Sequence, residues 1–169
     1  MKILETERLN LRRLSVEDNE FILKLLNEPA FMHNIGDRKV RTPDAARAYI
    51  LKRVVASYEQ NGFGLWAVDL KESGEPIGMC GLIKRDALDD VDIGYAFLSK
   101  FWSKGYATEA TLAVKQYAQQ VIGLKRLAAI VDPDNQSSIR VLEKISLKFE
   151  KMIHLPNDEI ELKLFAADL

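Results

Sequence analysis

A run of seven residues in the second half of the chain has the character of a phosphate-binding site. The letters WSKGYAT occupy positions 102–108, between an apolar stretch typical of a strand at 93–98 and an amphipathic stretch typical of a helix. The start of a helix leaves backbone N–H groups without partners and carries partial positive charge. Gly105 and Ala107 are small, so an anion can approach those N–H groups. We therefore expect the run to bind a phosphorylated cofactor.

The two commoner phosphate loops do not fit this run. The G-x-G-x-x-G motif is missing, and Lys104 precedes Gly105 instead of following a glycine and leading into Ser or Thr. The plain alternative is a helix N-terminus with a glycine at a tight turn and no ligand. The pattern by itself leaves both interpretations open.

The pattern of apolar and turn residues predicts a single mixed α/β domain over residues 1–169, with elements that would position this bend. The expected strands are 8–13, 65–70, 76–84, 91–98, 126–131 and two after residue 144, and the expected helices begin after Ser15, at Thr42-Pro43, near Gly105 and at Asn135. Residues 31–41 are expected to form an irregular loop. If the strands ending at 98 and 131 are parallel neighbours, the bend and Asn135 face one crevice at their carboxyl ends.

The composition excludes several classes of protein. The chain has 169 residues, of which 47% are hydrophobic, enough for one substantial core. Lys and Arg number 24 against 25 Asp and Glu, without a long basic run, so nucleic acid is not expected as a partner. One cysteine excludes an internal disulfide, and the chain shows neither a secretory signal at its start nor a membrane span. We expect a cytoplasmic protein without a membrane or metal partner, either a monomer or a homodimer.

Two motifs together resemble the GNAT acetyltransferases. The first is IGY at 93–95 followed by FWSKGYATEA at 101–110, and the second is DPDNQSSIRVLEK at 132–144. The opening ETERLNLR at 5–12 also resembles the RimJ/RimL type, which acetylates the N-termini of ribosomal proteins. The resemblance covers essentially the whole chain. It implies a mostly antiparallel sheet with one central parallel strand pair splayed at the cofactor site, about four helices, acetyl-CoA as donor and an amine as acceptor.

The resemblance also implies an extended site for acetyl-CoA. The pyrophosphate is expected on backbone amides at the bend, and the pantetheine arm beside the preceding strand. The residues at the bend are Ser103, Lys104, Gly105, Tyr106, Ala107 and Thr108, and those of the strand are Ile93, Gly94, Tyr95, Ala96, Phe97 and Leu98. Asn135 is expected to contact the pantetheine arm, whereas its residue type alone indicates a helix cap. Ser103 stands where family members often have glycine, and Ser146 stands where they usually have glycine.

Acetyl transfer to an amine needs a base, a stabilised oxyanion and protection of the departing thiolate. Many family members carry a tyrosine acid on the last helix, but Leu142 stands at that position. The resemblance assigns Ser138 to support the CoA sulfur, and the alternative is a helical serine bonded back to its own chain. Asp92, two residues before Gly94, is the candidate base and would act through water. Its rivals are Asp89, Asp90, Glu159, Glu161, His33 and His154.

The acceptor groove is expected beside the loop between the first two helices. His33 and Arg38 in that loop, together with Trp66, are the candidate substrate-binding residues. For the aromatic residues Phe31, Phe63 and Trp66, the alternative is burial in the core. The lack of a strong base favours an acceptor amine of low pKa, such as a protein N-terminus. A small-molecule amine such as a polyamine or an antibiotic is the second candidate, and a non-catalytic acyl-CoA-binding module would have the same cradle.

Overall fold

One eight-stranded sheet forms the frame of the molecule. The computed structural model describes all residues, Met1–Leu169. The strand order is β1-β2-β3-β4-β5-β6-β8-β7, and every neighbouring pair is antiparallel except β5 and β6. The strands are β1 (Lys2–Glu5), β2 (Leu9–Arg13), β3 (Leu65–Leu70), β4 (Pro76–Ile83), β5 (Asp92–Phe97), β6 (Arg126–Val131), β7 (Lys148–Ile153) and β8 (Leu162–Asp168).

The helices connect these strands in two groups. Those before β3 are α1 (Asn19–Leu26), α2 (Pro29–Asn34), α3 (Pro43–Tyr49) and α4 (Ala56–Asn61), and those after β5 are α5 (Tyr106–Tyr117) and α6 (Gln136–Lys144). A π-helical segment, Ile50–Val55, joins α3 to α4 without a break, and a second one, Ala118–Ile122, extends α5. None of the helices combines the length and apolar character that crossing a membrane requires.

The expected mixed α/β fold is confirmed, including its parallel strand pair. Strands 65–70 and 126–131 have the expected bounds. The loop expected at 31–41 is wrong over its first four residues, because α2 extends to Asn34 and begins with Pro29 at a favourable first-turn position. This helix brings the number of separate helical rods to five instead of about four. A single turn and a half of helix has too few residues for a periodic pattern to indicate it.

The parallel strands β5 and β6 separate soon after they meet. Their ladder aligns only Asp92 with Ala128, next to a hydrogen bond of 3.0 Å from the Ala128 N–H to the Val91 carbonyl. Beyond this pair the strands diverge, whereas β6 and β8 stay aligned over six residue pairs. The separated carboxyl ends leave a crevice that opens toward the starts of α5 and α6. The sheet therefore has the splayed pair that the resemblance implies.

The side chains of β5 point alternately to the two faces of the sheet. Tyr95 lies on the face covered by α5 and α6, because its hydroxyl reaches the Ser138 carbonyl in α6 at 3.2 Å. Trp66 lies on the same face and packs edge-on against Tyr117 of α5, with ring centroids 5.3 Å apart. Asp92 is three residues before Tyr95, so its side chain points to the opposite face.

The end of α6 explains why glycine is common at position 146. Ser146 has φ of 70°, and the N–H groups of Ser146 and Leu147 donate to the carbonyls of Glu143 and Leu142, both at 3.0 Å. This is the hydrogen-bond pattern of a Schellman cap, whose left-handed residue is usually glycine. The serine therefore holds a conformation that disfavours any residue with a Cβ atom.

Replacing Ser146 with glycine is expected to stabilise the protein by about 1 kcal/mol, because it removes the left-handed strain at the cap. Chemical denaturation would show a higher midpoint with an unchanged slope. The exposed helical residue Ser137 serves as a control, since glycine there should destabilise the helix. An unchanged or lower midpoint for Ser146→Gly would contradict this explanation of the cap.

Candidate active site

The bend between β5 and α5 has the geometry of an anion cradle. Ser103 and Gly105 have φ of 62° and 83°, on either side of Lys104 with its ordinary negative φ. Such alternation turns successive backbone N–H groups toward one side. Gly105 is the N-cap of α5 and no side chain caps the helix, so its first N–H groups are left for a ligand. The left-handed φ at Ser103 also accounts for the glycine found there in the family.

The position of the bend is fixed from the strand side. The indole N–H of Trp102 donates to the carbonyl of Phe97, the last residue of β5, at 2.9 Å. A Cβ atom at Gly105 would lie 3.4 Å from the Arg8 Nη2 atom. This is an ordinary contact distance, so glycine is favoured at this position by its φ rather than by a lack of space.

The start of α6 lies across the crevice from Tyr95. The Asn135 side-chain carbonyl accepts from the Ser138 N–H at 3.2 Å, which confirms the helix cap indicated by its residue type. The Asn135 side-chain NH2 group and the Ser138 Oγ atom have no hydrogen-bond partner in the protein, so both are available to a ligand. The alternative in which the Ser138 hydroxyl bonds back to its own helix is not observed.

Tyr95 closes the crevice on the side of α6. Burial raises the pKa of its hydroxyl to about 12, so the phenol stays protonated at neutral pH. Leu142, at the position where many family members carry a tyrosine, is fully buried and has no hydroxyl to offer. From the sequence, Tyr95 is one of the strand residues expected beside the pantetheine arm, without a role for its hydroxyl. Its side-chain role depends on the proximity of α6, which the strand pattern does not reveal.

Asp92 is a buried carboxylate at the other end of the crevice. Its side chain is 1% exposed, and burial raises its pKa to about 6, against the opposing effect of Arg85. The Arg85 Nε atom lies 3.3 Å from each carboxylate oxygen. A carboxylate with this pKa is ionised at neutral pH and is a stronger base than an ordinary aspartate. A carboxylate at a strand start can also simply face water, and the burial of Asp92 excludes that interpretation.

The other candidate bases are either paired with arginine or exposed to solvent. Arg126 forms ion pairs with Asp90 and Asp168, at 3.1 Å each, and also with Glu150. The other candidate residues are exposed on the surface: Asp89, Glu159, Glu161, His33 and His154. Asp92 alone combines deep burial with a position on the splayed strand pair.

A pocket of about 350 Å³ lies beside Asp92 on the same face of the sheet. Ala128 lines it and is the register partner of Asp92 across β5 and β6. Other lining residues come from the β4–β5 connection and from the edge of the sheet, among them Asp89, Asp90, Arg126, Glu150, Lys151 and His154. The pocket thus reaches the neighbours of Asp92, whose own side chain is buried and is not part of the lining.

The structure does not bring the three expected substrate-binding residues together. Trp66 is 1% exposed and packs against Tyr117, so the expectation that it contacts a substrate is wrong, and the alternative of core burial is confirmed. His33 and Arg38 are exposed on α2 and the loop after it, and neither lines the pocket beside Asp92. Their contact with an acceptor stays a prediction. The sequence did not indicate the pocket, because its walls come from segments far apart in the chain.

These features fit the cofactor that the resemblance implies. An uncapped helix start with left-handed residues suits a pyrophosphate. A splayed strand pair offers free backbone groups to an extended chain, and Asn135 and Ser138 add unpaired polar groups along the same crevice. We therefore assign the crevice as the candidate acetyl-CoA site.

Comparison with known proteins identifies the family. The family profile described as Acetyltransferase (GNAT) domain matches residues 8–148. The chain is 32% identical over 160 residues to the uncharacterized protein YkkB of Bacillus subtilis (strain 168), which covers 93% of this chain and 91% of that protein. It is 29% identical over 154 residues to the uncharacterized N-acetyltransferase p20 of Bacillus licheniformis, with coverage of 90% and 86%.

A solved structure shares the fold. RimL, a ribosomal L7/L12 alpha-N-protein acetyltransferase in complex with coenzyme A, superimposes with a TM-score of 0.86 over 100% of this chain and 98% of that one. At 15% sequence identity this likeness shows the fold alone. The match of the family profile over most of the chain, with the splayed strands and the uncapped bend, establishes that the protein belongs to the GNAT acetyltransferases and is an N-acetyltransferase that uses acetyl-CoA.

Proposed function

We propose that the protein acetylates the N-terminal α-amine of a protein or peptide by direct attack of the amine on the thioester. The observation that carries this proposal is the buried Asp92 carboxylate on the splayed strand pair, in register with Ala128, which lines the pocket. The chain end would enter through the pocket, and the cofactor through the crevice. The two reactants would then approach each other from opposite sides of the splayed strands.

The residues proposed to hold the cofactor follow the crevice from its mouth inward. Backbone amides at the bend, from Ser103 to Thr108, would hold the pyrophosphate, and the strand from Ile93 to Leu98 would hold the pantetheine arm. Asn135 would donate a hydrogen bond to the same arm through its unpaired NH2 group. Acetyl-CoA, when bound, supplies an acetyl group activated as a thioester.

The protein's own residues would accept the proton of the amine and stabilise the charge that develops on the leaving sulfur. Asp92 would accept the proton of the attacking amine through a water molecule. The Ser138 hydroxyl would donate a hydrogen bond to the leaving sulfur and so limit the charge that builds up on it. The Tyr95 hydroxyl, bonded to the Ser138 carbonyl at 3.2 Å, would hold that turn of α6 in place.

The strength of the base favours an α-amine over a lysine side chain. At neutral pH an α-amine of pKa ~7.7–8.0 costs about 1 kcal/mol to deprotonate, whereas a lysine of pKa ~10.4 costs about 4–5 kcal/mol. A carboxylate of pKa about 6 is a weak base for either amine. It is adequate only for the one that is already partly deprotonated.

The charge of the pocket argues against a polycationic acceptor. Two of its carboxylates, Asp90 and Glu150, are already paired with Arg126. Lys151 adds a second positive charge to the lining, against the three carboxylates Asp89, Asp90 and Glu150. A pocket with a net formal charge of only about −1 offers little attraction to a polyamine. The fold shared with RimL, whose printed name is that of an α-N-protein acetyltransferase, is compatible with a chain end as the acceptor.

Pairs of peptides of identical sequence would test the acceptor. One member carries a free N-terminus and the other an acetyl-blocked N-terminus, and both contain one lysine. We expect thiol release from acetyl-CoA with the free peptide at least about tenfold faster than with the blocked one, from the difference in deprotonation cost. Preference for the blocked peptide would overturn the proposal. Turnover confined to polyamines or aminoglycosides would identify a small-molecule acetyltransferase, and tight CoA binding without turnover across the panel would identify a binding module.

A further inference from the structure

The connection between β1 and β2 lies against the start of α5. The Thr6 hydroxyl donates to the Glu109 carboxylate in the first turn of α5. The Arg8 backbone N–H and Nε atoms donate to the same carboxylate at 3.0 and 2.7 Å. Partial burial opposes ionisation of Glu109, but these hydrogen bonds hold its pKa below the usual value. Glu109 is thus a charged anchor that fixes the direction of the Arg8 side chain.

Arg8 in turn contacts Lys104 and Tyr106, the two residues on either side of Gly105 in the bend. Its Nη1 atom donates to the Lys104 carbonyl at 3.0 Å. Its guanidinium stacks on the Tyr106 ring, 4.4 Å from the centroid. The Nη2 atom lies 3.4 Å from the place where a Cβ atom of Gly105 would be. No other side chain of the protein hydrogen-bonds to Lys104, Gly105 or Tyr106.

The bond to the Lys104 carbonyl determines the direction of one amide. The peptide bond between Lys104 and Gly105 is trans, so its C=O and N–H groups point in opposite directions. With the carbonyl held toward Arg8, the Gly105 N–H must point away from Arg8 and out of the other side of the bend. A carbonyl facing the ligand would repel a phosphate, whereas an N–H group attracts it.

We propose that Arg8 is a positioning residue for the phosphates of the cofactor. It holds the Lys104–Gly105 peptide with the N–H group toward the ligand, while Thr6 and Glu109 hold Arg8 itself. This inference rests on the proposed cradle at the bend. It assigns a purpose to Thr6 and Arg8 of the opening ETERLNLR motif, whose Leu9 and Leu11 belong to the hydrophobic core.

Three variants test the role of Arg8 by calorimetric titration with CoA. Arg8→Ala is expected to weaken CoA binding about tenfold or more, because the peptide loses its charge-assisted hydrogen bond. Arg8→Lys should fall between Arg8→Ala and the wild type, because an ammonium cannot bond Glu109 and Lys104 in the forked geometry of a guanidinium. Arg47→Ala, which removes a similarly exposed arginine paired with Asp44 on α3, should bind CoA like the wild type.

A truncated acetyl donor distinguishes a specific effect of Arg8→Ala on phosphate binding from a general loss of active-site structure. S-acetyl-pantetheine lacks the phosphates, so Arg8→Ala should raise KM for acetyl-CoA while leaving kcat for acetyl-CoA and kcat/KM for S-acetyl-pantetheine near their wild-type values. Equal loss with both donors, or unchanged CoA affinity in Arg8→Ala, would overturn the inference. The titration with CoA needs no acceptor. If the wild-type protein binds CoA but acetylates no peptide, the proposed function is refuted, and the CoA affinity of Arg8→Ala still tests the positioning role of Arg8.

Discussion

Replacing Gly105 with valine is expected to abolish binding of CoA. Gly105 has φ of 83°, a conformation that a β-branched residue resists strongly. The methyl groups of valine would also crowd the Arg8 guanidinium, whose Nη2 atom lies 3.4 Å from the new Cβ atom, and so disturb its bond to the Lys104 carbonyl. Loss of two or more charge-assisted hydrogen bonds to phosphate corresponds to a fall in affinity of about 100-fold or more. Calorimetric titration with CoA measures this fall.

Gly123 provides a matched control at the opposite end of the same helical rod. It has φ of 84°, and a Cβ atom there would have no neighbour within 4 Å. Gly123→Val therefore introduces comparable backbone strain without touching the bend. We expect it to lower the melting temperature and to leave CoA affinity unchanged. Equal affinity in the two variants would show that the N–H groups of the bend do not hold the phosphates.

Replacing Asp92 with asparagine is expected to lower kcat by about 10²-fold or more, the usual contribution of a general base. Asparagine keeps the size of the side chain and removes its capacity to accept a proton. Binding of CoA should be nearly unchanged, because the carboxylate lies at the far end of the crevice from the bend. Steady-state kinetics with a free-N-terminus peptide measures the loss.

The pH profile identifies the group responsible. The base must be unprotonated, so kcat/KM of the wild type should fall as the pH drops below about 6, the pKa to which burial raises Asp92. Asp92→Asn should lack this acidic limb. Asp69→Asn is a suitable control, because it removes another buried carboxylate, which lies on β3 and pairs with Arg12 at 2.6 Å. This variant should be less stable but should keep the pH profile of kcat/KM. Full activity of Asp92→Asn across the pH range would assign the proton transfer to another group.

Local sequence features were sufficient for the elements that form the cradle. The glycine at 105, the apolar strand before it and the amphipathic helix after it are adjacent in the chain, so their joint geometry follows from short-range rules. The same holds for Asn135 as the cap of α6. From the sequence alone, Ser103 and Ser146 are only departures from the glycines of the family. Their left-handed φ values explain why glycine is common at these two positions.

Features that depend on contacts between distant segments were not predictable in this way. An aromatic residue such as Trp66 suits a binding groove and a core equally well, and only the position of α5 shows that it is buried. The contact of Tyr95 with α6 spans 43 positions of the chain, and that of Arg8 with Glu109 spans 101. The hydrophobic periodicity of one segment does not reveal which distant segment it will contact.

The most direct test of the cradle is to follow backbone amides by ¹H–¹⁵N NMR during a titration with CoA. We expect the largest chemical-shift changes at residues 103–108, with Gly105 prominent among them, and smaller changes along β5 and at Asn135. The chemical shifts of amides in the distant edge strand β7 should not change. Saturable CoA binding that leaves the amides of 103–108 unmoved would contradict the claim that unpaired N–H groups at this bend hold the cofactor.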